Sequence, residues 1–179
     1  MRKEFGQALR RIFSQAIKRQ FPQFVEVKVD ASPVPGERAY RWVVADNLYC
    51  WIVLTPNIKH ESFNIMLGWS RLGRYPELPS IPCGESPSSA RSEFVRPEYL
   101  ERLPHFWSEK DEWWVIQKCE SLGGASDALE LLKPIEPECA VQLVEPQVGD
   151  AIEKLRLFGV PYLEEFARAA KAAATCADK

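Results

Sequence analysis

The sequence predicts an α+β fold: an antiparallel meander of about four to five strands packed against N-terminal and C-terminal helices. Three observations point there. Residues 38–70 hold three strand-like runs in quick succession, Arg38–Ala45, Leu48–Thr55 and Ser62–Ser70. In the first, Tyr40, Trp42 and Val44 alternate with Arg41, Val43 and Ala45, the period of a pleated strand. The links between the runs, Asp46-Asn47 and Pro56–Glu61, are short enough for hairpins. Finally, strands and helices are grouped along the chain instead of alternating, which favours an antiparallel sheet with helices on one face.

Taken in order, residues 2–20 read as a helix whose Phe5, Leu9, Ile12, Phe13, Ala16 and Ile17 share one face, ended by Pro22. Phe24–Val29 alternates and reads as a first strand, and residues 31–37, with Pro33, Pro35 and Gly36, read as a turn. After the three meander strands, residues 71–92 form a long irregular loop: Pro76, Pro79, Pro82 and Pro87 remove backbone donors needed by a ladder. Such a long unstructured connection is either functional or a tolerated insertion. Pro97–Leu103 reads as a short helix with proline in its first turn, ended by Pro104. Trp113–Lys118 is the last strand candidate. Asp127 is placed to cap a short helix carrying Leu129, Leu131 and Leu132, and Pro134 and Pro137 make a further connection. Two helices close the sequence. The first carries Val148, Ile152, Leu155 and Phe158 and ends at Gly159 in a left-handed C-cap. The second starts at Pro161 and buries Leu163, Phe166, Ala167, Ala170 and Ala174.

A length of 179 residues makes one domain over 1–179 the expectation, and 46% hydrophobic with 27% charged residues is an ordinary globular balance. No apolar run approaches a membrane span, so no membrane partner is expected. The first residues lack the apolar core of a secretory signal, and a mitochondrial transit segment is less economical than a packed first helix. Five scattered cysteines with no Cys-x-x-Cys fit a reducing compartment, and the cytoplasm is the expected location. The net charge of −2 conceals an asymmetry. Residues 1–20 carry six cations against Glu4, a balance of +5, whereas Glu93–Glu165 holds 16 acids and 7 bases, a balance of −9. The acidic half disfavours nucleic acid and favours a basic protein surface.

Catalytic constellations are absent from the pattern. The two histidines, His60 and His105, and the loop thiol Cys83 lie in no nucleophile signature. No metal-ligand spacing, phosphate-binding loop or nucleophile elbow occurs, so neither a metal site nor a cofactor is expected. What stands out is a binding surface, His105–Trp114. Its Trp107, Trp113 and Trp114 are interleaved with Glu109, Asp111 and Glu112. Tryptophan buries large area at interface hot spots, and the carboxylates suit a basic partner. Strand alternation lets only one of Trp113 and Trp114 point inward.

In outline the chain resembles a loose group of uncharacterised small bacterial proteins. The features that carry the resemblance are the amphipathic first helix, the aromatic meander ending in Phe63–Ser70, the proline-rich Gly73–Pro79 and the C-terminal helix pair joined through Phe158–Leu163. Members of such groups are found or suspected as immunity proteins that bind and block toxins used between bacteria. The resemblance implies a non-enzymatic, toxin-neutralising protein whose partner is a basic toxin domain; it carries over no active site. The alternative is a small enzyme or ligand-binding domain with a pocket between the sheet and the 71–91 loop, using Cys83, His60 and His105.

Overall fold

The long strand Ser62–Ser70 has sheet neighbours along both of its edges, and the rest of the molecule is arranged around it. The computed structural model describes residues 1–29, 35–57, 59–77, 94, 96–108, 110, 112–117 and 134–177, with side chains to residue 173. The elements run α1 (Lys3–Gln20), β1 (Val25–Val27), β2 (Arg38–Ala45), β3 (Leu48–Pro56), β4 (Ser62–Ser70) and β5 (Glu98–Arg102). A 3₁₀ turn (Leu103–Phe106), β6 (Trp114–Val115), α2 (Pro137–Lys154), a π turn (Leu155–Gly159) and α3 (Val160–Ala177) complete the order. All strand pairs are antiparallel, in the order β1-β2-β3-β4-β5, with β6 also on β4. The expected α+β class, meander and flanking helices are therefore present, with six strands among the described residues where four to five were expected.

The meander forms as its alternation predicts. Asp46-Asn47 makes the two-residue hairpin turn, and Asn47 takes φ 56°, which a short polar side chain tolerates better than most. One face of the sheet carries Tyr40 of β2, Cys50, Ile52 and Leu54 of β3, and Phe63, Ile65, Leu67 and Trp69 of β4, all buried. The helices pack there. From α1, Phe5, Leu9, Phe13 and Ile17 are fully buried, and Ser14 meets the Tyr40 hydroxyl at 2.7 Å. From α3, Phe166 stacks on Trp69 at 4.1 Å, and Tyr99 of β5 stacks on the same indole at 4.5 Å. The opposite face holds a smaller cluster of Ala39, Trp51, Val53 and Leu100, with Tyr75 edge-on to Trp51. Arg2, just before α1, clasps the buried Glu61 carboxylate through Nε and Nη2 and also reaches the Gln117 amide, tying the helix to the start of β4 and the end of β6.

Several local expectations are corrected. Residues 97–103 are not a helix. Glu98–Arg102 pairs with Met66–Ser70, which puts Tyr99 and Leu100 on opposite buried faces; long-range pairing overrides a helix-like local pattern. The C-terminal helices are not separated by a left-handed cap at Gly159. The chain stays helical through a π turn, where Gly159 lies so close to β4 that a Cβ would stand 2.8 Å from Leu67 Cδ1. α2 also begins earlier than its apolar pattern suggests, with Pro137 in its first turn. It accommodates Pro146 on an exposed position, where water can satisfy the carbonyl that the missing N–H leaves free. β1 is three residues long, and of the described part of the Trp113–Lys118 candidate, residues 113–117, Trp114–Val115 form the strand. Residues 78–92 of the expected 71–92 loop and the Asp127 helix lie outside the described residues. No helix among the described residues is long and apolar enough to cross a membrane.

Gly68 marks the tightest approach between strands: a Cβ there would sit 2.0 Å from the Tyr99 carbonyl oxygen and 2.9 Å from Leu100 Cδ1. Because the first obstacle is backbone, Gly68→Ala is expected to destabilise the fold by about 1–3 kcal/mol or more by forcing β5 off β4. Urea denaturation reads this directly, and an unchanged midpoint would contradict the close approach.

Candidate partner-binding surface

Downstream of β5 the chain folds back on itself and builds a cleft against α2. The 3₁₀ turn begins with buried Leu103 and Pro104, and the Pro104 carbonyl accepts from the N–H groups of Trp107 and Ser108 at 3.1 and 3.0 Å. The Ser108 hydroxyl then accepts from the Lys110 N–H and donates to Glu112 Oε1 at 2.9 Å, which joins Ser108, Lys110 and Glu112 in one polar cluster. Asn64, buried in β4, anchors it by donating its amide to the Glu112 carbonyl at 2.8 Å. The next residues pair with β4, and register puts Trp114 directly across from Phe63, whose ring it stacks on at 5.6 Å.

Trp114 points inward, 7% exposed, and its indole N–H donates to Asp150 Oδ2 of α2 at 2.8 Å. Trp113 faces the other way and is half-buried beneath the Arg102 guanidinium, 5.4 Å from its ring. This is the single inward indole that strand alternation requires. Trp107 packs edge-on to Trp114 at 6.2 Å and beside Phe158 of the π turn at 5.4 Å, while Lys154 Nζ lies over both Trp107 and Phe158. Pro104 and the three tryptophans line a cleft of about 240 Å³ whose polar lining is Glu112, Gln147, Asp150 and Lys154.

Of the six residues singled out in the sequence, Trp107, Glu112, Trp113 and Trp114 all line this cleft. Glu109 and Asp111 lie outside the described residues. Gln147, Asp150 and Lys154 were not anticipated. Their i, i+3 and i+4 spacings place them on one side of α2, but no sequence signal joins that side to Trp114. The electrostatics are also less one-sided than composition suggests. The exposed carboxylates of Glu112 and Asp150 project from the rim, yet the faces of Trp107 and Trp113 are already covered by the protein's own cations.

Of the groups named for catalysis, only the two histidines are described, and they lie in separate turns. His60 is exposed in the β3–β4 turn, where its backbone N–H bonds Asn57 Oδ1. His105 Nδ1 lies 2.7 Å from Oε1 of Glu101, on the strand just before it. Cys83 is outside the described residues. Cys50 is buried on the core face with its sulfur 4.0 Å from the Leu163 carbonyl, and burial pushes its thiol up to about 12. Among the described residues no group of three or more His, Cys, Asp or Glu could hold a metal ion. No protein-family model, curated protein or solved structure matches the chain.

Burial of Cys50 couples its proton to folding. The unfolded thiol ionises near 9.0 and the folded one near 12. Between those values the native state keeps a proton that the unfolded chain has lost, so stability falls as pH rises. The slope from this group is about 1.4 kcal/mol per pH unit. Urea midpoints of the wild type and Cys50→Ala, compared from neutral pH to about pH 11, should converge as pH rises; parallel curves would contradict the buried, protonated thiol.

Proposed function

We propose that this chain is a non-enzymatic protein-binding protein of the bacterial cytoplasm, an immunity protein that neutralises a toxin by direct contact, and that the tryptophan cleft is the contact surface. The observation that carries the reading is the convergence of Trp107, Trp113 and Trp114 with the exposed carboxylates of Glu112 and Asp150 around one open cleft. The half-buried indoles of Trp107 and Trp113, held in place by packing, give a partner contact area at little entropic cost. Because Arg102 and Lys154 already cover two of the indole faces, a basic partner would be met by the rim carboxylates and the indole edges. A basic toxin domain fits that rim, since its lysines and arginines would pair with Glu112 and Asp150 and be steered by them over longer range.

Calorimetry with the product of the neighbouring gene and other candidate toxins tests the class, and no heat of binding with any of them would count against it. Given a binding partner, Glu112→Arg combined with Asp150→Arg is expected to weaken the complex at least tenfold and to flatten its salt dependence, as loss of rim charge pairs should. Unchanged affinity would place the contact elsewhere on the molecule.

A further inference from the structure

Lys154 sits in the tryptophan cleft on rings instead of on the carboxylate beside it. It follows Asp150 by four residues on α2, the spacing and order that favour an ion pair on a helix surface. Among the described residues no ion pair joins the two. Asp150 gives Oδ2 to the Trp114 indole, and the Lys154 ammonium lies over Trp107 at 5.3 Å and Phe158 at 5.9 Å. Asp150 Oδ1 and Glu112 Oε2 accept no hydrogen bond among the described residues. Both carboxylates and Lys154 line the cleft, so its charged lining is two negative groups against one positive. That balance favours a cation as its occupant. At about 240 Å³ the cleft is smaller than the roughly 300–1,000 Å³ of a small-molecule or cofactor site, and it suits a single side chain.

We infer that Lys154 holds the place of an arginine side chain from the partner protein, which on binding displaces the Lys154 ammonium from Trp107 and pairs with the free oxygens of Asp150 and Glu112. The inference rests on the reading of the cleft as the partner-binding surface. The rim carboxylates meet the partner first, and the exchange follows. Charge alone would admit lysine or arginine. An incoming lysine would only exchange one ammonium for another on the same ring. A guanidinium is planar and less strongly hydrated, so it can lie on an indole while its edge N–H groups reach carboxylates beside the ring. The molecule already holds Arg102 over Trp113 at 5.4 Å. Until a partner arrives, Lys154 covers the Trp107 ring and offsets one of the two negative charges. Its long unbranched stem lets the ammonium swing out to water without moving α2.

Titration of Nα-acetylarginine amide into the full chain tests this before any partner is known. Nuclear magnetic resonance is expected to show a saturable shift of the Trp107 and Trp114 indole N–H signals. The Lys154 ε-methylene protons, held near two rings in the free protein, should move toward the values of a free lysine as the probe saturates. Lys154→Met keeps an unbranched stem and removes the charge. It should bind the probe about two- to fivefold more tightly, because no cation–π contact has to be given up. Nα-acetyllysine amide should bind more weakly than the arginine probe. Circular dichroism checks that the variant folds, and the Lys154 signals of the unaltered protein decide the question if it does not. The inference is overturned by a probe that never saturates, by binding that leaves the Lys154 signals in place, by a folded Lys154→Met chain that binds no more tightly, or by a lysine probe that binds as well as the arginine one. Displacement by the probe with no toxin bound would count against the toxin and not against the arginine subsite. A toxin complex in which Lys154 stays on its rings would sink the inference and leave the functional reading intact.

Discussion

The arrangement depends on a single stack of rings. Trp69 of β4 lies between Phe166 of α3 and Tyr99 of β5, at 4.1 and 4.5 Å, and all three are buried. Offset stacking of this kind adds about 0.5–1.5 kcal/mol per pair beyond the area each ring removes from water. Its structural consequence is larger than its energy. It joins the last helix, the central strand and the strand beyond it into one unit, and it fixes how far the chain can approach β4. Gly68 and Gly159 are the two positions where that approach is tightest. Gly68 meets the backbone of β5, and Gly159 meets Leu67 from the helical side.

The candidate surface inherits its geometry from the same strand. Phe63 at one end of β4 supplies the ring on which Trp114 stacks, Asn64 holds the loop that precedes it, and Glu61 receives Arg2 from the start of α1. Across the cleft, α2 offers Asp150 to the Trp114 indole, and the π turn brings Phe158 to Trp107. A π turn adds a residue to one helical turn and rotates the helix beyond it. Here it lets Leu155 and Gly159 both be buried while Phe158 reaches Trp107. The aromatic part of the cleft is therefore oriented by ring packing, which is the condition for presenting a preformed surface to a partner.

Much of the scaffold was legible because the meander alternates strictly and its turns are short. The inward position of Trp114 also agrees with strand period, which allows only one of the two adjacent indoles inside. The misreadings fall where distant residues decide. Glu98–Arg102 carries a pattern compatible with a helix, and only the free edge of β4 makes it a strand. Gly159 sits where a helix cap belongs by local chemistry, but it packs closely against the methyl ends of Leu67 and Leu103, and the helix runs on. In the cleft, the aromatic and acidic residues were visible as a cluster between positions 107 and 114. The other wall was not, because Asp150 is separated from Trp114 by dozens of residues and no local spacing links them. The covering of Trp107 by Lys154 and of Trp113 by Arg102 was invisible for the same reason, and it changes what a partner would touch.

If β4 organises the molecule, then, held on both edges and under the helices, it is the last part to open. Native-state hydrogen exchange measures this residue by residue. Backbone amides around Ile52 in β3 and Leu67 in β4 are predicted to exchange only through global unfolding, with a denaturant dependence equal to that of the whole protein. Exchange of those amides through local opening, at lower free energy than the amides of Leu9 and Phe13 in α1, would contradict it.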